Sequence, residues 1–177
     1  MRYKKRFMNK KIKKDGFTLI ELLVVVTLVS IIASIGVFAY SKFVENGKAA
    51  ATKEIHKQYV SYVKSEVLRC RLGEKRIFPT VRRPAPDGLL NCHQRSASNI
   101  EGFSVAHFYE AGFKNPYNNK TAVRSSARWY FGGWSDADVG YINTNSLFQN
   151  KDLYVHTCFK VPCNNNKNIL ISTIKEM

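Results

Sequence analysis

A run of twenty residues without a charge, from Leu22 to Ser41, constrains this chain more than any other feature of its sequence. As an α-helix that rises about 1.5 Å per residue, the run is roughly 30 Å long, the thickness of the hydrocarbon core of a bilayer. Residues 1–16 carry eight basic side chains and one acidic side chain, as is typical of a cytoplasmic segment before a membrane span. The sequence therefore predicts one transmembrane helix, with the C-terminal bulk of the chain outside the cytoplasm.

Length and composition narrow the class of protein further. The uncharged run is too long for a cleaved secretory signal, and it continues into a helical pattern where such a signal would end at small residues. Of the 177 residues, 45% are hydrophobic and 23% are charged. That composition supplies one packed domain and excludes collagen-like, low-complexity and polytopic membrane classes.

Glu21 stands at the beginning of the uncharged run, where a carboxylate is costly. Insertion scales assign about 2.5–3.5 kcal/mol to such a charge in hydrocarbon. Either Glu21 lies at the membrane interface, or it has a cationic partner at the same depth. A cut just before Phe17 would create that cation, because it would expose a new α-amino group.

The residues from Lys14 to Leu22, KDGFTLIEL, resemble the prepilin signature of type IV pilins and pseudopilins. The resemblance implies that a prepilin peptidase cuts after Gly16 and then N-methylates Phe17. It also implies that Glu21 takes part in methylation and pairs with the terminal amine of a neighbouring subunit during assembly. The signature is specific because four features occur in register: a basic leader, a glycine, the residues FTLIE and an apolar stretch.

Two departures from the family pattern concern the helix and the leader. Many members have proline about 22 residues after the cut, where this chain has Phe38, so any kink would depend on Gly36, a weaker helix breaker. The leader is also long for a chain that is cut before phenylalanine. Met8 is an alternative start, which would leave a leader of nine residues.

We predict four segments along the chain. Beyond residue 45, apolar residues such as Ile55, Tyr59 and Val63 recur at helical spacing, and Gly73 is a typical helix end. These patterns predict one helix over 17–72. The segments are a basic leader over 1–16, a hydrophobic transmembrane and assembly half-helix over 17–44, an amphipathic half-helix over 45–72, and a globular region over 73–177.

The globular region is predicted to contain a loop, a short helix and a small sheet. Proline and glycine mark residues 73–98 as a loop, and Ser98 with Glu101 has the S-x-x-E pattern of a capping box, which predicts a helix over 99–111. The fold class is therefore α+β, a long N-terminal α-helix packed on a small antiparallel sheet, as in the ladle-shaped pilins. The predicted strands are Thr121–Arg124, Arg128–Phe131, Val139–Ile142, Leu153–Phe159 and Ile169–Ile174.

All four cysteines lie in the region predicted to be outside the cytoplasm, where an even number indicates disulfides. We favour Cys70–Cys92, which ties the helix end to the following loop, and Cys158–Cys163, which closes a turn. Pairings that join the loop to the C-terminal region stay open.

Other candidate sites are weaker. A zinc site could be drawn from His156, Cys158 and Cys163 together with Cys92 and His93, but the spacing is unlike a zinc motif. Asp136-x-Asp138-x-Gly140 lacks the ligands of a calcium loop, so a polar turn is the simpler interpretation. We expect His56 and His107 to be structural or solvated, and the aromatic run from Trp129 to Trp134 to be core. No pattern for an enzyme, a cofactor or a metal is found.

The resemblance implies a structural subunit of a type IV pilus. It would be made as a single-pass precursor of the inner membrane and polymerised into an extracellular filament for adhesion, motility or DNA uptake. Its partners would be other pilin subunits, the prepilin peptidase, an assembly ATPase and an inner-membrane platform protein.

Two alternatives stay open. One is a pseudopilin of a periplasmic type II secretion pseudopilus, or a minor pilin that initiates assembly. The other is a DNA-binding pilin of an uptake system. Residues 17–177 carry a net charge of +8, which would attract nucleic acid. The cations concerned include Arg69, Arg71, Lys75, Arg76, Arg82 and Arg83.

Overall fold

In the computed structural model, residues 16–81, 88–126, 133–146 and 151–175 are described, and every structural statement below concerns them. The predicted strand over 128–131, the aromatic run from 129 to 132 and nearly all of the leader lie outside the described residues. The chain divides into two units, residues 1–42 and 43–177.

One helix, α1, runs from Leu19 to Arg71, close to the predicted 17–72. It continues through Gly36 and Gly47, where an added Cβ would meet nothing within 4 Å. Gly73 follows its end with a φ of +98°, the left-handed conformation that favours glycine after a helix. In the second unit, one face of α1 is buried at helical spacing, and its members are Ala49, Thr52, His56, Tyr59, Val60, Val63, Glu66, Val67 and Cys70.

The second unit adds helix α2, a two-stranded pair and a four-stranded sheet, which confirms the α+β class. Strands β1 and β2 form an antiparallel pair within the segment predicted as a loop. The larger sheet has the order β3-β4-β5-β6. The bounds are Arg76–Ile77 for β1, Leu90–Asn91 for β2, Ala97–Glu110 for α2, Val123–Ser125 for β3, Ile142–Asn145 for β4, Leu153–Cys158 for β5 and Ile169–Ile174 for β6.

The four-stranded sheet is mixed, which corrects the prediction of a wholly antiparallel sheet. Strands β4, β5 and β6 are antiparallel neighbours, but β3 pairs with β4 in parallel, with Val123 opposite Ile142. The 16 residues that connect β3 to β4 are long enough to return the chain to the same end of the sheet. Strand β6 has the predicted bounds, whereas β3 and β4 begin two and three residues later than predicted.

The core lies between α1, α2 and the sheet. Tyr59 is fully buried, donates or accepts a hydrogen bond of 2.7 Å with Ser104, and meets Phe108 edge to face at 5.1 Å. Further buried members come from the loop and the strands, so this single cluster joins every element of the second unit. They include Ile77, Phe78, Leu90, Ile100, Val123, Ile142, Leu153, Val155 and Ile174.

Helix α2 begins two residues earlier than predicted. Its N-cap is Ser96, whose hydroxyl accepts a hydrogen bond from the backbone N–H of Asn99. The predicted capping box of Ser98 with Glu101 is wrong, because Glu101 is only 7% exposed and accepts hydrogen bonds from the hydroxyls of Ser125 and Thr144. The Glu101 carboxylate is thus bonded to the sheet, and not to the helix end as the local pattern predicted.

Replacing the cap should have a measurable effect on stability. We expect Ser96→Ala to lower the free energy of unfolding by about 1 kcal/mol, because the N–H of Asn99 loses its acceptor, whereas Ser96→Asp should leave it nearly unchanged. Urea denaturation of the chain in mild detergent measures both. Equal losses for the two variants would show that the side chain at residue 96 does not act as the cap.

Candidate functional site

The residues that carry the proposed cleavage site lie just before α1. Gly16, Phe17 and Thr18 have no regular secondary structure, and Phe17 is 85% exposed. An added Cβ on Gly16 would meet nothing within 4 Å of the chain itself. Backbone at this position is therefore accessible to an approaching protein, and the chain itself does not require glycine there for space.

Glu21 takes part in a capping box at the beginning of α1. Its Oε2 atom accepts hydrogen bonds from the backbone N–H and the hydroxyl of Thr18, each at 2.8 Å, and the Thr18 hydroxyl accepts from the N–H of Glu21 at 3.3 Å. Two backbone donors of the first turn are thereby satisfied. The carboxylate is bonded to Thr18, the residue next to Phe17, whose nitrogen would become the terminal amine after a cut.

The serine and threonine hydroxyls of the uncharged run form hydrogen bonds within the helix. Thr27, Ser30, Ser34 and Ser41 each donate to a backbone carbonyl three or four residues earlier, at 2.6 to 2.9 Å. A hydroxyl bonded in this way leaves no unpaired donor when the helix enters hydrocarbon or packs against another apolar helix. The polar side chains of this segment are thus compatible with an apolar environment.

The apolar side chains of the same segment are uncovered. Large hydrophobic side chains from Phe17 to Phe43 are 48 to 85% exposed. An 18-residue window in α1 reaches a mean hydropathy of 2.8, and none of that window is buried. By length and composition the helix can cross a membrane, and its exposed surface requires a cover of lipid or protein.

The cysteines form the two disulfides that the sequence analysis favoured. Cys70 is bonded to Cys92 and Cys158 to Cys163, with Cα–Cα distances of 5.6 and 5.5 Å. The first joins the last turn of α1 to the segment that follows β2, and the second closes a short loop after β5. Since all four sulfurs are used, the zinc site drawn from these cysteines is excluded.

The aspartates of the calcium-like pattern have structural partners. Asp138 is buried, accepts from the backbone N–H of Ser135 at 2.9 Å and pairs with Arg124. Asp136 accepts from the N–H of Cys163 at 2.8 Å. Among the described residues, no group of three or more His, Cys, Asp or Glu side chains is placed to hold a metal ion, and this segment is a capped polar turn.

The histidines on the helical faces have structural contacts. His56 is 6% exposed, and its two ring nitrogens lie 2.9 Å from the hydroxyls of Thr157 and Ser172, so it joins α1 to β5 and β6. His107 bonds to the carbonyl of Pro79 at 3.0 Å. Burial lowers the pKa of His56 to about 4, and burial together with the charge of His56 lowers the pKa of His156 to about 4.

Acid should therefore destabilise the second unit. Because the folded-state pKa values lie below the ordinary 6.5, the unfolded chain takes up protons first as the pH falls. Stability is complete above about pH 6.5 and declines between about 6.5 and 4, by roughly 2 kcal/mol for each histidine at pH 5. Urea denaturation between pH 8 and pH 5 measures the decline, and His56→Gln should remove about half of it. An unchanged pH slope in that variant would contradict the assignment.

Two site residues were not identified from the sequence. Thr18 completes the capping box with Glu21, and the signal for it, T-x-x-E before an apolar run, is present in the sequence. Glu66 is buried and accepts from the backbone N–H of Phe78 at 2.8 Å and from Arg69 at 2.9 Å. Its partner at residue 78 lies on a distant loop, so no local pattern could have indicated this contact.

Comparison with known families agrees with the geometry at the amino end of α1. A family model described as the prokaryotic N-terminal methylation motif, the type IV prepilin signature, matches residues 11–37. No curated protein and no solved structure matches the chain significantly. The matched residues include Gly16, Glu21 and most of the exposed apolar run from Leu22 to Ser41. The chain therefore carries the type IV prepilin signature at the beginning of a helix that is, by length and composition, long and apolar enough to span a membrane.

Proposed function

We propose that the chain is a structural subunit of a type IV pilus. A prepilin peptidase cuts the membrane-anchored precursor between Gly16 and Phe17 and N-methylates Phe17. The processed subunits then leave the inner membrane and polymerise, with an assembly ATPase and an inner-membrane platform protein as partners. The observation that carries this proposal is the combination of the matched motif with an exposed apolar helix whose first turn is capped by Thr18 and Glu21.

The hydrogen bonds of the apolar segment support polymerisation as well as membrane insertion. Its serine and threonine hydroxyls are bonded within the helix, so these side chains can exchange lipid for the apolar helices of neighbouring subunits without losing a polar contact. In a filament, Glu21 would pair with the terminal amine of a neighbour. A misregistered helix would leave that carboxylate unpaired in an apolar environment, which favours the correct stagger.

The two disulfides favour a surface filament over a periplasmic pseudopilus. A covalent link restricts the unfolded chain, and a loop closed over a sequence separation of 22 contributes about 3 kcal/mol in the chain-entropy description. Disulfides form in the periplasm as well as outside the cell, but their added stability is of most use to a subunit that is exposed on the cell surface. The DNA-uptake alternative stays a prediction, because Arg69 pairs with Glu66 and residues 82 and 83 lie outside the described part of the chain.

The proposal is tested by mass spectrometry of sheared surface filaments from the native host. We expect the dominant chain to begin at methylated Phe17 and to lack four hydrogens, as two disulfides require. In the matched variant Gly16→Val the leader should stay attached, and because a Cβ at residue 16 meets nothing in the chain, that loss would reflect the peptidase and not misfolding. A wild-type chain that keeps residues 1–16 and occurs only in membranes would overturn the proposal.

The abundance of the processed chain in sheared material distinguishes a major pilin from a minor pilin and from a pseudopilin. A major pilin should dominate the sheared material, whereas a minor pilin should be a trace component beside another subunit. A pseudopilin of a secretion system should be processed in the same way yet stay with the cell envelope after shearing.

A further inference from the structure

A group of lysines lies at the end of the second unit that follows the apolar run in the chain. Two surface segments meet α1 there: the turn over 114–121 and the disulfide loop over 158–163. We define the lysine cluster by these segments, the short helix Asn166–Asn168 beside the loop, and the adjoining part of α1. Its members are Lys48, Lys114, Lys120, Lys160 and Lys167.

Contacts with α1 place the disulfide loop close to the beginning of the second unit. Lys160 Nζ lies 3.5 Å from Glu45 Oε1, and Lys53 Nζ lies 4.0 Å from the centre of the Phe159 ring. Residue 45 follows Ser41, the last of the uncharged run, by only four positions. The disulfide loop therefore contacts α1 close to where the second unit begins.

The turn over 114–121 lies beside the disulfide loop and contacts the same part of α1. The Tyr117 hydroxyl donates to the carbonyl of Phe159 at 2.6 Å, and Lys48 Nζ lies 5.7 Å from the centre of the Tyr117 ring. Asn115 donates to the carbonyl of Val139 at 2.9 Å and holds the turn against the segment before β4. Lys114 and Lys120 at the two ends of this turn are exposed.

The same end of the unit presents more positive than negative charge. Lys167 is exposed, and its short helix is tied to the disulfide loop by the bond from Asn168 to the Pro162 carbonyl at 3.1 Å. The acidic side chains that these contacts place beside the five lysines are Glu45 and Asp136. Exposed apolar side chains accompany the lysines, with Phe43 75% and Val161 41% exposed.

We propose that the lysine cluster binds anionic phospholipid headgroups of the membrane that holds the precursor, so that the second unit rests on the bilayer surface before assembly. This inference rests on the proposed function, because it takes residues 22–41 as the membrane span. Lysines close to an anionic surface are attracted over about one Debye length. Exposed apolar side chains among them suit the boundary between headgroups and acyl chains.

Neither membrane insertion nor packing accounts for the charge of this cluster. The positive-inside bias counts cations within about 15–20 residues of a span, and Lys114, Lys120 and Lys167 lie beyond that range in the sequence. Packing does not explain it either, since Lys114, Lys120 and Lys167 point to solvent.

The test uses the full-length precursor in nanodiscs made with and without phosphatidylglycerol. Lysine acylation rates are read by peptide mass spectrometry at low and high salt. With phosphatidylglycerol at low salt, we expect Lys114, Lys120 and Lys167 to react at least about threefold more slowly, and high salt should abolish the difference. The exposed control lysines Lys57, Lys64 and Lys75, which are 16 to 34 positions beyond Ser41, should react equally in both lipids.

A charge variant provides the second readout. K114Q/K120Q/K167Q should retain at least about threefold less phosphatidylglycerol in native mass spectrometry, whereas K57Q/K64Q/K75Q should retain as much as the wild type. Equal acylation in both lipids, or equal retention by the two variants, would overturn the proposal. Protection that appears only at high subunit density, whatever the lipid charge, would assign the lysines to subunit contacts and also overturn it.

Failure of this inference is distinguishable from failure of the proposed function. Purified prepilin peptidase is added to the same nanodiscs, and the N-terminal mass is read. Normal cleavage after Gly16 without lipid-dependent protection would reject only the lipid contact. Absence of cleavage would reject the proposed function.

Discussion

A chain with Glu21→Gln is expected to be inserted and cut like the wild type, yet to yield about a hundredfold fewer filaments. Glutamine at this position keeps the capping box with Thr18, because its side-chain oxygen accepts the same hydrogen bonds. What it removes is the negative charge. Breaking a buried ion pair by removing one partner costs about 3–5 kcal/mol, which is enough to suppress the addition of each subunit. Immunoblotting of sheared and whole-cell fractions measures the ratio.

The matched variant Thr18→Ala separates the two roles of Glu21. If the carboxylate matters only as a helix cap, Thr18→Ala should reduce filament yield at least as much as Glu21→Gln, because it removes the hydroxyl of the box at a cost of about 1 kcal/mol. If the charge is needed for assembly, Thr18→Ala should retain most of the filaments. A Glu21→Gln chain that assembles normally would show that the proposed pairing with a neighbouring amine is wrong.

Replacing Glu66 by alanine is expected to lower the free energy of unfolding by about 3 kcal/mol. Glu66 is 5% exposed, and its carboxylate accepts from the N–H of Phe78, which is fully buried with a φ of 55°. Without the carboxylate, that N–H stays buried and unpaired, and a strained left-handed residue loses the contact that holds it. Arg69, whose side chain is 47% exposed, loses a partner but regains water, so its contribution is the smaller one.

Urea denaturation in mild detergent tests this prediction, with two comparison variants on and beside the same site. Glu66→Gln should lose about half as much, because the amide oxygen can still accept from Phe78 while the charge assistance is gone. Glu54→Ala on the exposed side of α1, which removes a bond to Gln58 at 3.1 Å, should change stability by less than about 0.5 kcal/mol. A loss for Glu66→Ala as small as that for Glu54→Ala would show that Glu66 does not hold the loop.

Much of the site was predictable because its information is local. The basic leader, Gly16, Phe17, Glu21 and the uncharged run occupy adjacent positions in the sequence, and Glu21 and the run lie on one helix, α1. Helical periodicity from residue 45 onward likewise depends on neighbours three and four positions apart, so α1 was predicted within two residues of its bounds at each end. The cysteine pairs that formed are separated by only 22 and 5 positions.

Predictions failed where a distant partner outweighed a local pattern. Ser98 and Glu101 had the spacing of a capping box, but Glu101 accepts hydrogen bonds from hydroxyls on β3 and β4. The helix is capped by Ser96. The parallel pairing of β3 with β4 depends on how a 16-residue connection returns, which strand periodicity does not specify.

The sequence by itself determined the amino-terminal segment of this protein: a helix that is long and apolar enough to span a membrane, a glycine before it, and a carboxylate in its first turn. Only the tertiary structure decided which distant residues share a surface or a buried contact. Glu66 contacts Phe78, His56 contacts two strands, and the four segments of the lysine cluster lie together because the chain folds back on α1. Local patterns reflect interactions within a few residues, whereas these contacts require loop closures whose geometry is set by the whole core.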